Sequence, residues 1–349
     1  MNRRPLLQAL TILPAARAAA PLWVASLATA PQVMAAEGAA LAVPGPRNSV
    51  SLPLELATRL GLDREAGLPL RLSFVGGGGV AIQELRARNV EFAVFGLPAM
   101  VRANVTGGAR MVALAAIDDL PLYTLVVRAD LRGSVRTVRD LAGRTLGVHS
   151  NSLQIRTTSH QLVDYLLRRQ GVDLSRVKFI AAGQSWETQS AALLSRSVDA
   201  SLCDEPFATR LEAEGLAFKI FSTGNPADVA ANPGTGFLRA VLVALADRIE
   251  AAPERAERAV RLVQRSLRWI AARTPDQVAE ALGIQGAERD ALIAVAQAYP
   301  RQYSDNGRFS TRQVAETEKF FRASNPDLPE AASVRVAEMV LDRWAGRRP

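Results

Sequence analysis

The chain has 349 residues, enough for two ordinary cores and a short segment besides. Apolar residues make up 48% and charged residues 22%, a balance that excludes wholesale disorder and a bundle of membrane spans. The formal charge of +8 drops to +5 once Arg3, Arg4 and Arg17 of the first 36 residues are set aside, and what remains is scattered arginine without a basic run, a poor match to a nucleic-acid surface.

Cys203 is the single cysteine, which excludes an internal disulfide, a CxxC pair and a thiolate metal cage. It also lies far from the N-terminus, so no lipid-modified cysteine is expected to tether the chain. Residues 1–36 read as an export signal, with twin arginines in NRRPLLQ, an Ala-rich apolar stretch, and cleavage near Ala35 or Ala36 after Val33-Met34-Ala35. Arg17, Pro14 and Pro21 interrupt the stretch, which argues against a membrane anchor and leaves both the twin-arginine and the general export routes open. After cleavage a soluble chain is expected.

Beyond the leader, Asn48-Ser49 opens the apolar stripe Leu52, Leu56, Leu60, which stops at Gly61. Residues 72–102 then match residues 180–210 at a constant offset of 108: Leu72 falls on Ile180, Leu85 on Leu193, Arg88 on Arg196, Val90 on Val198, Glu91 on Asp199, Pro98 on Pro206 and Arg102 on Arg210. Each copy reads as strand, loop, helix, strand, loop, helix, the grammar of a parallel α/β sheet. A second unit opens at Asn151-Ser152 and carries Ile155, Leu162, Val163, Leu166 and Leu167 to Gly171 as one helical stripe. The Gly/Pro/Asn-rich GNPADVAANPGTG after residue 222 marks a return crossing. From Pro253 the pattern is helical, with Ala259, Val260, Leu262, Val263, Leu267 and Ile270 on one face. The expected architecture is α/β with two lobes, each a mostly parallel sheet flanked by helices: residues 40–120 with 236–349 form the first lobe and its C-terminal helices, and 121–235 form the second. In open α/β sheets ligands bind beyond the carboxyl ends of strands, so facing lobes bring two loop sets together.

PLELATRLGL, the VGGGGVAIQEL turn, NVEFAVFG, PLYTLVVRADLRGSVRTVRDLAGRTLGVHSNS, the VDA before DEP and the late YPRQYSDNGRFS resemble the solute-binding proteins of nitrate, sulfonate and taurine ABC importers, over about residues 48–320. The resemblance implies a type II periplasmic-binding fold, hinge-closing lobes, a periplasmic location, and delivery of a solute to a membrane permease driven by a separate ATPase. It implies no covalent chemistry, no cofactor, no metal and no nucleic acid, and a monomer is expected. Carried onto matching positions, it points to Arg47, Asn48 and Ser49; to Gly76, Gly77, Gly78 and Gly79; to Gly96 and Leu97; to Ser150, Asn151, Ser152 and Leu153; to Gln184 and Trp186; and to Asp204 and Glu205.

The chemistry of these candidates leaves alternatives open. Four glycines at a helix start expose N–H groups that suit a sulfonate, nitrate or carboxylate, but a tight turn needs the same glycines. Ser150, Asn151 and Ser152 serve equally as caps or as ligand donors. Asp204 and Glu205 put charge where the first copy has Gly96 and Leu97, which suits a ligand ammonium or a salt bridge to an arginine. Trp186 either stacks on a planar ligand or walls the pocket. His149 and His160 are too few for a histidine metal site and read as structural, and Cys203 reads as buried. A small anion is the expected solute. Alternatives are a pyrimidine or thiamine precursor, an aromatic carboxylate, and an exported enzyme of pyrimidine-precursor chemistry.

Overall fold

The structure, a computed structural model, describes residues 38–349; the export signal expected over residues 1–36 lies outside the described residues. Strands β1 (Ala39–Pro44), β2 (Leu70–Val75), β3 (Phe92–Gly96) and β4 (Met111–Ala116) are followed by β5 (Tyr123–Arg128), β6 (Thr145–Val148), β7 (Lys178–Ala181), β8 (Ala200–Asp204), β9 (Ala217–Ser222) and β10 (Ala240–Leu245). They form two five-stranded sheets, ordered β2-β1-β3-β10-β4 and β7-β6-β8-β5-β9. Strand β10 runs antiparallel to β3 and β4, and β5 antiparallel to β8 and β9. Each sheet thus takes its reversed fourth strand from the segment that has just crossed from the other sheet. The crossings are residues 117–122 and 223–239.

Continuous apolar runs become the strands covered on both faces, as in MVALAA of β4 and AVLVAL of β10, every residue of which is buried. The 108-residue offset holds in the geometry: β3 maps onto β8, and helix Gly78–Arg86 onto helix Trp186–Leu194. Arg88 and Arg196, two residues past equivalent helices, both turn left-handed, at φ 61° and 59°. The second helical unit is broken where the sequence reads as continuous. Arg156 (φ 52°) ends a first turn, Ser152–Ile155, and helix Thr158–Arg169 starts afresh, with the Arg156 guanidinium bonded to Asp164. A left-handed arginine cannot lie inside a right-handed helix, and apolar spacing alone does not register that.

Helix Pro253–Ala271 buries Ala256, Ala259, Val260, Leu262, Val263 and Leu267, with most of this stripe in the first sheet's core. The C-terminal helices are not confined to that sheet. In helix Thr311–Ser324, Phe321 enters the first core while Phe320 enters the second and stacks on Phe237 at 4.3 Å between centroids. Helix Gly286–Ala298 packs on helix Phe207–Ala213 beyond β8. Among the described residues no helix is long and apolar enough to cross a membrane.

The first crossing carries Asp118 and Asp119. Asp119 accepts from Arg348, and its backbone N–H donates to the Gln302 carbonyl at 2.9 Å. Burial pushes the Asp119 carboxyl up to about 6, against the lowering effect of Arg348. Its folded value therefore exceeds the ordinary unfolded one, so its contribution to stability is fully present below about pH 4 and is lost as pH rises through about 6. Asp119→Asn is expected to flatten that part of the stability–pH curve. Urea midpoints of both chains between pH 4 and pH 7 measure it; equal slopes would show that Asp119 has no such effect.

Candidate functional site

The loops at the carboxyl ends of β1 and β3 meet those of β6, β7 and β8 directly. Ser49 N–H donates to the Glu205 carbonyl at 2.8 Å, and Ser150 N–H to the Gly76 carbonyl at 3.2 Å. Ala99 N–H donates to Thr158 Oγ1 at 3.2 Å, and Gln161 Nε2 to the Pro98 carbonyl at 3.3 Å. Two glycines permit this approach. A Cβ on Gly45 (φ 63°) would overlap the Gln184 carbonyl, and one on Gly96 would overlap Thr158 Oγ1.

At the centre of the contact lies Arg239, in the second crossing just before β10 and only 1% exposed. Its Nε donates to Asp118 Oδ2 at 2.6 Å, Nη1 to the Leu122 carbonyl at 2.9 Å and to Asp204 Oδ1 at 3.3 Å, and Nη2 to Ser49 Oγ at 2.9 Å. Four partners on three chain segments, from both sheets and the first crossing, converge on one guanidinium. Such a group is stable in the interior only when paired and hydrogen-bonded, and this one is both. Burial works against its charge, but Asp118 and Asp204 outweigh burial and hold it protonated.

Asp204, at the end of β8, is wholly buried. Burial opposes its ionisation, yet His149, Arg239 and Gln184 together hold it below the usual carboxylate range. His149 Nε2 lies 3.2 Å from Asp204 Oδ2 as an ion-pair contact, and neither atom has a further partner. Gln184 Oε1 is buried without a partner. Beside them Tyr123 faces His149 at 6.2 Å between ring centroids and receives the Arg239 guanidinium 5.2 Å from its own. Tyr123, His149, Gln184, Arg239, Thr157 and Thr158 line a small cavity whose apolar wall includes Val50, Phe95 and Ala99. Buried polar atoms without partners beside a cavity are what a bound polar molecule would satisfy.

The sequence candidates divide around this cavity. Gln184, Gly78 and Gly96 line it; Ser49 and Asp204 reach it through Arg239. Asn48 is fully buried but used locally: its Oδ1 accepts from Val50 and Ser51 N–H, and its Nδ2 contacts the Pro44 and Gly45 carbonyls. Arg47 points outward to Glu55 and Glu288. Gly76, Gly77 and Gly79 are pressed against His149, Ser150 and Asn151, so the glycine run serves close approach between the loops. Ser152 bonds Thr157, Leu153 is 44% exposed, and Leu97 uses its N–H on the Arg239 carbonyl at 2.7 Å. Trp186 lies under Arg210, 3.7 Å from its guanidinium, away from the cavity. Glu205 is raised by burial, against lowering contacts with Lys219, Thr209 and Thr124. Cys203 is buried in β8; burial pushes its thiol up, far from a nucleophile's range.

Sequence reasoning missed Arg239, Asp118, Tyr123, Thr157 and Thr158, and read His149 as merely structural. A signal was present: a lone arginine in FLRAVLVAL, and an aspartate after MVALAAI, each break a buried apolar run and so demand partners.

Two sheets with facing loop sets and a polar cluster between them define a periplasmic-binding-protein fold. Solved structures share it: a protein from Bordetella bronchiseptica RB50 (22% identity, TM-score 0.80, 88% of this chain and 95% of that one), the alkanesulfonate-binding protein SsuA from Xanthomonas axonopodis pv. citri bound to MOPS (15%, 0.68, 89% and 98%), and the periplasmic nitrate-binding protein NrtA from Synechocystis PCC 6803 (10%, 0.66, 88% and 86%). No curated protein sequence matches the chain. The NMT1/THI5-like family model matches residues 48–277, and the chain belongs to that family.

Two substitutions test this geometry. Arg239→Met leaves two buried carboxylates without their partner and is expected to cost roughly 3–5 kcal/mol in urea unfolding; a loss below 1 kcal/mol would show that the cluster is not stabilised by the guanidinium. Gly45→Ala should keep the far-UV circular dichroism but separate the loops, raising the radius of gyration in small-angle X-ray scattering, whereas an unchanged radius would contradict the close approach at Gln184.

Proposed function

We propose that this chain is the substrate-binding component of an ABC importer, exported to the periplasm, which captures a small solute between two lobes and presents the closed form to a membrane permease. The lobes are residues 40–120 with 236–349, and 121–235. The observation that carries this reading is the buried cluster in which Arg239 and Asp118, from the two crossings, join Ser49 of the first sheet's loops to Asp204, His149 and Gln184 of the second sheet's, with Gln184 Oε1 left without a partner. Closure about crossings 117–122 and 223–239 brings these groups together, so a solute that bridges them favours the closed state by its differential affinity. Alkanesulfonate and nitrate, named for two of the similar structures, supply the first anions to try, in line with the small anion expected from the glycine run.

The test uses the chain from residue 37 onward, denatured to strip bound solute and refolded. Sulfonates, nitrate, aromatic carboxylates and pyrimidines are screened by thermal shift, with scattering for compaction. A true solute at about 100 times its Kd should add about 2.7 kcal/mol of stability and reduce the radius of gyration, with no product visible by NMR. Consumption of the solute would overturn the receptor reading in favour of an enzyme. Stabilisation without compaction would overturn closure.

A further inference from the structure

The charges around the cavity do not suit an anion. Asp118 accepts at both oxygens, from Arg239 Nε at 2.6 Å and from Ala240 N–H at 3.0 Å, and the charge-assisted contact with the guanidinium favours the carboxylate against the raising effect of burial. Asp204 faces Arg239 on one oxygen and His149 on the other. One guanidinium therefore stands between two carboxylates. With the imidazole neutral the cluster carries a net charge of −1, and with it protonated the cluster is neutral. In neither state is there positive charge left over for a ligand.

The hydrogen-bonding capacity points the same way. Four of the five N–H groups of Arg239 are already used, on Asp118, Leu122, Asp204 and Ser49. The cavity wall carries one unmet acceptor, Gln184 Oε1, together with His149 Nε2, behind which Asp204 Oδ2 lies 3.2 Å away with no other partner. Asn151 Nδ2, an unmet donor on the loop after β6, does not line the cavity. Of the helix start that would offer N–H groups to an anion, only Gly78 reaches the cavity wall; Gly77 and Gly79 are packed against residues 149–151. A buried acceptor without a partner is unfavourable, a loss that a ligand N–H recovers and a ligand oxyanion worsens.

We propose that the captured solute enters with a head of N–H donors, of amidinium or amide type, that bonds Gln184 Oε1 and Asp204 Oδ2, and that anionic heads are rejected. The assignment rests on the capture reading above and names the solute class that the same cleft takes. His149 accepts or donates at the third position, and Tyr123 covers the flat face of the head. Selection against an anion arises from Asp118 and Asp204 together, because either carboxylate alone would be matched by Arg239.

The test holds shape fixed and varies charge and donors. The refolded chain is titrated by calorimetry with acetamidine, acetamide and acetate, and with guanidinium, urea and nitrate, two nearly isosteric planar sets; benzamidine, benzamide and benzoate repeat the comparison on a larger body. The N–H-bearing members should bind about tenfold or more tightly than the anion of their set, a difference of about 1.4 kcal/mol. Asp204→Asn, whose folding is checked by circular dichroism, should weaken acetamidine about tenfold. An anion that binds as tightly as its N–H-bearing isostere overturns the proposal. So does failure of every N–H-bearing probe, or unchanged acetamidine affinity in the variant. Ethanesulfonate separates the two readings: if it binds and compacts the chain, capture stands and the donor-head assignment falls, whereas donor-bearing probes that bind without compaction leave the assignment standing and remove capture by closure.

Discussion

The guanidinium of Arg239 is the point on which the relation between the two sheets depends. A charge of that size taken out of water costs several kcal/mol unless its surroundings replace the lost hydration. Its replacements come from Ser49 after β1, Asp118 and Leu122 in the first crossing, and Asp204 at the end of β8. No single segment could satisfy it, so the arginine is content only when both sheets and a crossing are in place together. Asp204 belongs to the second sheet and Ser49 to the first, so one guanidinium ties the two sheets together.

The frame around the cluster is nearly symmetric, and the chemistry is not. Equivalent strands β3 and β8 lie 108 residues apart, equivalent helices end in left-handed Arg88 and Arg196, and each sheet takes its reversed strand from the neighbouring crossing. At the matching strand ends one copy has Gly96 and the other Asp204. Gly96 leaves room for Thr158 to come against it, while Asp204 supplies charge to the centre. One half of the frame yields space and the other half fills it with a functional group, which is how a duplicated scaffold produces a site with one orientation.

The succession of strands and helices was legible because it depends on local periodicity, and the repeat was legible because its spacing is constant. The helix break at Arg156 was not, since a left-handed residue leaves no trace in apolar spacing. The site was legible only in part. Gln184, Gly96 and Asp204 were named from the family resemblance, with Asp204 standing out besides as charge at a strand end where the first copy has Gly96, whereas Arg239 lies 121 residues from Asp118 and 35 from Asp204. Pairing over such distances is set by sheet order, and the two antiparallel insertions that bring β5 and β10 into place have no local signature. The glycine run shows the converse: four glycines announce a special backbone, but whether they make room for a ligand or for a neighbouring loop is decided by what lies opposite, here His149 to Asn151.

Overall charge and local charge then make opposite demands on a solute. The whole chain is +8, or +5 without Arg3, Arg4 and Arg17, and a basic surface draws anions from solution. That attraction is screened within about 8–10 Å at physiological salt, so it acts on approach and fades among scattered surface arginines. Inside the cleft the controlling charges are contacts of 2.6–3.3 Å that exclude water. At that range and in that medium a carboxylate facing an oxyanion costs far more than a distant arginine can return. Structures 10–22% identical to this chain share its fold. The charge at the end of β8 in this chain is set by one aspartate and by the arginine that holds it.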